Sequence, residues 1–468
     1  MRKKNKHTVI NNLLVEDYAA EGKSIARTEG KVVFIEKVVP GDVVDVRLSK
    51  NKKDWAEGTP IFFHTCSKER VDPFCKHFGV CGGCKWQMLP YAKQLQYKQQ
   101  QTIDQLERIG HVPLPEITPI LGCEETRYYR NKLEYTFTNK RYLSNEEVKN
   151  PDISAFEDVA GFHAPGMFDK VVDIDICYLQ NEPTNRIRKL VKAFALKNGW
   201  PFYDIRMHQG FLRTMQVRLC TTGQLMVNVV VGMDKPEWLQ PLLAHLLEME
   251  PSITTLLYTI NLKHNDSLND LEPQVYHGNG YVIEKLEDYS FKIGPKSFFQ
   301  TNTKQAEKLY QVVRDFAGLD GSQTVYDLYC GTGSIGIFLS KGAKKIIGVE
   351  AIGDAIADAK ENAEMNGIES AHFFTGNAED VCDAAFFDEH GKPDVIITDP
   401  PRAGMHDALV QQLLRIAAPV IVYVSCNPAT QARDLKLLDE KYTVEKLQPV
   451  DMFPHTHHIE NVVKLILK

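Results

Sequence analysis

The chain has 468 residues with a net charge of −6, 43% of them hydrophobic and 25% charged. That length predicts about two to four domains and a sizeable core without disulfides. No apolar run approaches the ~20 residues of a membrane helix, and the acidic balance excludes a uniformly basic nucleic-acid coat, leaving only local patches for that role.

The basic opening, Met1 to His7, leads into no apolar segment, so it does not read as a secretory signal. A cytoplasmic protein is expected. Residues 8–62 alternate in β fashion and turn at Glu21-Gly22, Glu29-Gly30 and Pro40-Gly41-Asp42. Val32 to Ile35 and Val43 to Leu48 are the clearest strands, and short strands at this spacing predict a small OB-like β-barrel. Basic clusters stand at Arg2 to Lys6, Lys50 to Lys53 and Arg127 to Lys132. The last interleaves Tyr128 and Tyr129 with cations, as RNA surfaces do; a solvated strand edge is the plainer explanation.

Ten cysteines in a long cytosolic chain suggest metal before disulfide. Three are closely spaced, as Cys75-x5-Cys81-x2-Cys84. Four thiolates, with one more from elsewhere in the chain, would suit an iron–sulfur cluster or tetrahedral zinc, and the spacing matches neither common pattern. A helix fits Pro90 to Ile109, stopped at Gly110. Residues 112–290 read as mixed α+β, with strands at Gln216 to Leu219 and Leu225 to Val231 and a helix at Leu190 to Lys197. The segment Phe162 to Tyr178, strand-like in its second half, carries Cys177.

From about residue 291 the pattern becomes regular. Thr301-Asn302 is an N-cap for a helix with Ala306, Leu309, Val313 and Phe316 on one face. Strands at Thr324 to Tyr329, Lys345 to Glu350, Ala371 to Thr375, Val395 to Thr398 and Val420 to Ser425 then alternate with helices such as Gly353 to Met365 and His406 to Ala417. This predicts a doubly wound parallel sheet, closed by strands near Tyr442 to Leu447 and Val462 to Leu467.

The first of these strands runs into Asp327-Leu328-Tyr329-Cys330-Gly331-Thr332-Gly333-Ser334-Ile335-Gly336. Gly331, Gly333 and Gly336 satisfy G-x-G-x-x-G, and Glu350 ends the next strand about twenty positions on, where a carboxylate accepts from ribose hydroxyls. Alone this pattern suggests a nicotinamide cofactor. Three features favour S-adenosylmethionine: Asp327 precedes the glycines, where an acid can meet an ammonium; the unit lies in the last third of the chain; and the fourth strand ends in Asp399-Pro400-Pro401-Arg402, a loop typical of methyltransferases acting on planar nitrogen rings. Cys330 reads as structural.

Val420 to Ser425 is a run of strand formers that must be covered on both faces, and Asn427-Pro428 stops it and starts a helix. Cys426 therefore sits at the carboxyl end of a central strand, where α/β sheets put their ligands. A buried structural cysteine is the bland alternative. As a nucleophile, its thiolate would add to C6 of uracil and make C5 reactive toward a methyl group. Asp399 would accept the N3–H of uracil, a donor that cytosine lacks. The C5 proton must then be removed. Candidates lie in His455-Thr456-His457-His458-Ile459-Glu460, and Glu460, at the start of an apolar strand, would have the raised pKa that suits a base. The three histidines suggest a metal less than they suggest a polar loop.

Together Asp399-Pro400-Pro401-Arg402, Ser425-Cys426-Asn427-Pro428, Phe299-Gln300-Thr301-Asn302 and Phe453-Pro454-His455-Thr456 to Glu460 resemble the RNA uracil-5-methyltransferase family over essentially the whole chain. The resemblance implies an α/β protein with a C-terminal class I (Rossmann-like) methyltransferase domain. It places an OB-like TRAM domain at 1–65, a central α+β domain carrying an iron–sulfur cluster at 66–290, with helix 90–110 packing on the catalytic domain, and the catalytic domain at 291–468. It implies Cys426 as nucleophile, Glu460 as proton acceptor, and Gln300, Tyr329, Ser334, Glu350, Asn377 and Asp399 in contact with cofactor or target base. Cys75, Cys81 and Cys84 resemble the cluster pattern of the ribosomal-RNA branch, with Cys177 as fourth ligand to a [4Fe–4S] cluster. The expected partner is RNA, with a looped-out uridine of 23S ribosomal RNA as target; the rivals are transfer RNA as substrate and a non-catalytic RNA-binding ribosome assembly factor. A monomer without membrane association is expected.

Overall fold

Strand-forming runs that alternate in polarity build the N-terminal sheet. In this computed structural model, which describes residues 8–468, its six strands run from Val9–Leu14 to Trp55–Thr65. Val44, Val46 and Leu48 point inward at the two-residue period of a strand and share a core with Val33 and Ile35. Residues 9–18 pair with Val43–Asn51 through their first half and with Ser24–Thr28 through their second. That double pairing curls the sheet into the expected barrel-like form. The basic cluster Arg2 to Lys6 lies outside the described residues, while Lys50 pairs with Glu57 at 2.9 Å.

A second sheet of seven strands follows. Its spatial order is Gln274–His277, Thr255–Ile260, Leu225–Val231, Leu212–Leu219, Lys132–Lys140, Phe156–His163, Val171–Asp173. Every residue of Leu225–Val231 is buried. Val227 and Val229 share a core with Ile187 and Leu242 of the helices Thr184–Lys197 and Pro236–Met249, while Met226 joins the C-terminal core. Phe162 to Tyr178 opens on the end of the strand Phe156–His163, and its second half holds the strand Val171–Asp173, as the pattern predicts, though only three residues long. The strand stops there because the chain turns inward after Ile174 and the Cys177 N–H bonds to Asn185 at 2.8 Å.

The cluster Arg127 to Lys132 is not a solvated edge. Tyr129 and Asn131 are buried, and only Tyr128 of its two aromatics is exposed. The helix Tyr91–Gln105, extended by a wider turn to Gly110, lies against the C-terminal domain, where Leu106 shares a core with Ala432 and Leu435.

The C-terminal sheet carries the chemistry, and its strands are numbered here β1 (Thr324–Leu328), β2 (Lys345–Glu350), β3 (Ala371–Thr375), β4 (Val395–Thr398), β5 (Val420–Ser425), β6 (Tyr442–Val450) and β7 (Glu460–Leu467). Their order is β3-β2-β1-β4-β5-β7-β6. The first five are parallel; β7 inserts antiparallel between β5 and β6. Strand order reverses between β1 and β4, which opens a ligand crevice beyond their carboxyl ends. The hairpin Val282–Leu286/Tyr289–Ile293, which straddles the expected boundary at 290, shares its core with Val325 of β1. Among the described residues no helix is long and apolar enough to cross a membrane.

Candidate active site

At the β1 end, Asp327 is fully buried. One carboxylate oxygen accepts the Gly336 N–H at 2.9 Å; the other has no partner. Burial pushes this acid up to about 7. Tyr329 turns the chain with φ of 63°, a conformation that a bulky residue rarely keeps outside functional sites. Gly331 and Gly333 follow with positive φ, and a Cβ at Gly333 would stand 3.0 Å from the Phe373 ring. Glu350, at the end of β2, bridges two loops by accepting N–H groups from Gly331 at 3.2 Å and Ile352 at 3.0 Å.

Ser334 meets the Tyr310 hydroxyl at 2.9 Å. Gln300 is half-buried, anchored through its backbone carbonyl by Asn131 at 2.9 Å. Asn377 is exposed after β3 and donates to Asp380 at 3.0 Å. A free buried carboxylate oxygen, left-handed glycines that bare the backbone, and an acid at the β2 tip fit the ammonium, methionine and ribose portions of S-adenosylmethionine.

One strand over, register defines the second half of the site. Ser425 of β5 pairs with Asn461 of β7, so Cys426 and Glu460 occupy the next rung, and Glu460 also pairs with Val450 of β6. Asp399 follows β4, whose Thr398 pairs with Tyr423 of β5. The two loops are joined: Asn427 donates to the Arg402 carbonyl at 3.0 Å, and Thr430 does so at 3.2 Å. Arg402 in turn donates to His458 at 2.9 Å, in the loop that leads to Glu460.

The electrostatics are those of two acids around a thiol. Burial, then the negative charges of Glu460 and Asp399, push the half-buried Cys426 thiol up to about 11, with Arg402 opposing. Burial pushes Asp399 up to about 7. Glu460, 6% exposed, is raised well above the usual carboxylate range by burial and by Asp399. The histidines stay neutral: burial first, then neighbouring cations and His458, lower His457 to about 3, and burial and Arg402 lower His458 to about 4. His455 is tied to Gln94, whose side-chain oxygen accepts its backbone N–H at 2.8 Å.

Cys75, Cys81, Cys84 and Cys177 all border one cavity of about 460 Å³, away from Asp399, Cys426 and Glu460. Burial lifts the Cys81 and Cys84 thiols to about 12 and Cys177 to about 11. The Gly83 N–H donates to the Cys81 sulfur at 3.4 Å. Among the described residues, however, no three His, Cys, Asp or Glu side chains are arranged to hold a metal ion, so the expected ligand set is not drawn together here. Physically, protonated thiols do not attract one another; a bound cation must deprotonate and gather them. The cysteine loop touches the catalytic loop directly, since Lys85 and Trp86 donate their N–H groups to the His455 carbonyl at 2.8 and 3.0 Å.

Residue patterns alone did not reveal the Asn427–Arg402 clip, the Tyr310–Ser334 contact or Gln94. The clip had a signal in the Ser-Cys-Asn-Pro turn; Gln94, an unremarkable polar helix residue, had none.

A sheet of this order, with β7 antiparallel between β5 and β6, a glycine loop after β1 and an acid at the tip of β2, has the Rossmann-like form of a class I methyltransferase. Comparison with known proteins specifies it. Residues 274–468 match the family model described as tRNA (Uracil-5-)-methyltransferase, and residues 10–61 match the TRAM domain. An uncharacterized RNA methyltransferase of Bacteroides thetaiotaomicron is 51% identical over 96% of this chain and 100% of its own. One of Porphyromonas gingivalis is 48% identical over 97% and 99%. The crystal structure of Pyrococcus abyssi tRNA (uracil-54, C5)-methyltransferase with S-adenosyl-L-homocysteine aligns with a TM-score of 0.73 and 27% identity, over 97% of this chain and 99% of that one. The chain belongs to the RNA uracil-5-methyltransferase family and is an S-adenosylmethionine-dependent RNA methyltransferase.

Proposed function

We propose that this enzyme forms 5-methyluridine in 23S ribosomal RNA, in the cytoplasm, through a covalent bond between Cys426 and uracil C6. The observation that carries the reading is the rung shared by Cys426 and Glu460 beside Asp399. The uridine must leave its helix to enter the crevice. Asp399 accepts N3–H and orients the ring. The Cys426 thiol loses its proton to solvent and the thiolate adds to C6, which places electron density on C5. Gln300, Asp327, Tyr329, Ser334, Glu350 and Asn377 would hold S-adenosylmethionine, which would supply the methyl group that C5 takes and leave as S-adenosylhomocysteine. Glu460 then removes the C5 proton, the C5–C6 double bond re-forms, and the thiolate leaves. A raised pKa makes Glu460 a stronger base when ionised, and Arg402 partly offsets the charge of the two acids.

Cys75, Cys81, Cys84 and Cys177 fit a [4Fe–4S] cluster in their donor chemistry and in the cavity that they share. Methyl transfer needs no electron, so the role assigned to the group is to fix the loop that holds His455. Protein purified without oxygen should contain about four iron and four sulfide per chain; stoichiometric zinc would overturn this assignment.

Transfer RNA is the second reading, favoured by the full-length likeness to the Pyrococcus abyssi tRNA enzyme. Nucleotide-resolution mapping of 5-methyluridine in cells with and without the gene separates the two. Loss from 23S ribosomal RNA supports the first, and loss from transfer RNA alone replaces it with the second.

A further inference from the structure

Arg188, on the helix Thr184–Lys197, is 1% exposed. Its guanidinium donates to two backbone carbonyls, those of Ala160 at 3.1 Å and Asp175 at 2.9 Å. Its Nε has no partner, and among the described residues no carboxylate pairs with it. The two acids of the segment that it holds are engaged elsewhere: Asp173 with Lys192 at 2.7 Å, and Asp175 with Lys76 and Lys189 at 2.8 Å each. The guanidinium also faces the fully buried Tyr135 ring, 5.3 Å away.

The same helix grips Cys177. Asn185 stands one turn before Arg188, on the same face. Its side chain accepts the Cys177 N–H at 2.8 Å and donates to the Cys177 carbonyl at 3.2 Å. Arg188 thus fixes Asp175, and Asn185 fixes Cys177, in one short loop. The Asp175 N–H donates to His77 at 2.9 Å, which lies between Cys75 and Cys81 in the chain, so the loop that Arg188 holds is latched to the cysteine loop. The positive charge of Arg188 reaches the Cys177 thiol, as does that of Arg130, which borders the cavity shared by the four cysteines.

An ionised group withdrawn from water is costly unless an opposite charge faces it, and arginine does not escape by losing its proton. The cysteines can supply that charge. Four thiolates outweigh the metal core that they hold, so the loaded site is a net anion. We propose that Arg188 is the counter-cation of the iron–sulfur group held by Cys75, Cys81, Cys84 and Cys177. This role rests on the iron–sulfur reading of those cysteines. A positive charge beside Cys177 favours its thiolate over its thiol, and it favours the reduced form of the group, which is the more negative one, over the oxidised form.

The test uses full-length protein purified without oxygen. Dithionite titration followed by electron paramagnetic resonance reads the midpoint potential, and bipyridine reads the rate of iron release. Arg188→Gln keeps a donor for the carbonyls without the charge. It should disfavour the reduced form about tenfold, a midpoint about 59 mV more negative, and it should release iron faster than the wild type. Arg188→Lys keeps the charge and should stay near the wild type in both readings. A merely structural arginine would lower the melting temperature in both variants and leave the potential where it was. An unchanged potential in Arg188→Gln would therefore overturn the proposal, as would equal shifts in the glutamine and lysine variants. If Arg188→Gln does not fold, Arg188→Met decides by the same readings, because apolar replacements of buried charges are often tolerated. Zinc, or no metal, in the wild type would refute the iron–sulfur reading itself and the role of Arg188 with it.

Discussion

The ammonium of Lys98 meets the carboxylate of Asp451 at 2.6 Å, 353 residues away in the chain, with neither side chain exposed. Asp451 also accepts from the Tyr91 hydroxyl at 2.8 Å and the Phe453 N–H at 3.0 Å. It thus joins the helix Tyr91–Gln105 to the turn that leads to Glu460. Removing one partner leaves an uncompensated buried charge. Lys98→Met should lower the unfolding free energy by about 3–5 kcal/mol, read by urea titration, and should reduce methyl transfer. Lys98→Met with Asp451→Asn should recover part of that loss, because neither charge remains.

Cofactor affinity tests the β1–β2 crevice. Glu350→Ala removes a charged acceptor of the kind worth about 1.5–3 kcal/mol, so calorimetry should show S-adenosylhomocysteine binding weakened roughly ten- to a hundred-fold. Gly333→Ala forces a Cβ to 3.0 Å from Phe373 at a φ of 75° and should weaken binding while also lowering the melting temperature.

The thiol can be titrated by alkylation. With Cys426 pushed up to about 11 by burial, Glu460 and Asp399, iodoacetamide labelling in the wild type should rise with pH well into the alkaline range. Glu460→Gln and Asp399→Asn each remove a repelling charge. The labelling midpoint should shift to lower pH in both, and further in Glu460→Gln, since Glu460 contributes more.

Stability should carry the opposite imprint. Glu460 and Asp399 hold their protons more tightly folded than unfolded. The native state therefore binds more protons above their unfolded values, near 4, up to about 7 for Asp399 and above the usual carboxylate range for Glu460, and wild-type stability should fall as pH rises through that window. Glu460→Gln should match the wild type near pH 4 and exceed it at pH 8 by about 0.5–2 kcal/mol, measured by urea titration at both pH values.

The catalytic domain was legible because its residues carry their own constraints. Val420 to Ser425 is covered on both faces, so it shows as an unbroken apolar run, and Asn427-Pro428 marks where it ends. The burial of Glu460 was legible because an acid before Asn461-Val462-Val463 has little route to solvent. The central sheet was harder to read. Lys132–Lys140 mixes polar and apolar residues and buries Lys140 on Asp204 at 2.7 Å, a partner 64 residues away. The Arg127 to Lys132 cluster looked solvated because what buries Tyr129 and Asn131, including Pro454 and Thr303, lies hundreds of residues downstream or past the second sheet. Long-range pairing of polar side chains leaves no local pattern.

The most direct test uses Glu460→Gln mixed with unmethylated substrate RNA and S-adenosylmethionine. Without its base the enzyme should methylate C5, fail to release the ring, and run on a denaturing gel as a protein–RNA species. Mass spectrometry should find 5-methyluridine joined to the peptide that contains Cys426. Absence of that species, together with methylation by Cys426→Ala near the wild-type rate, would contradict the covalent route.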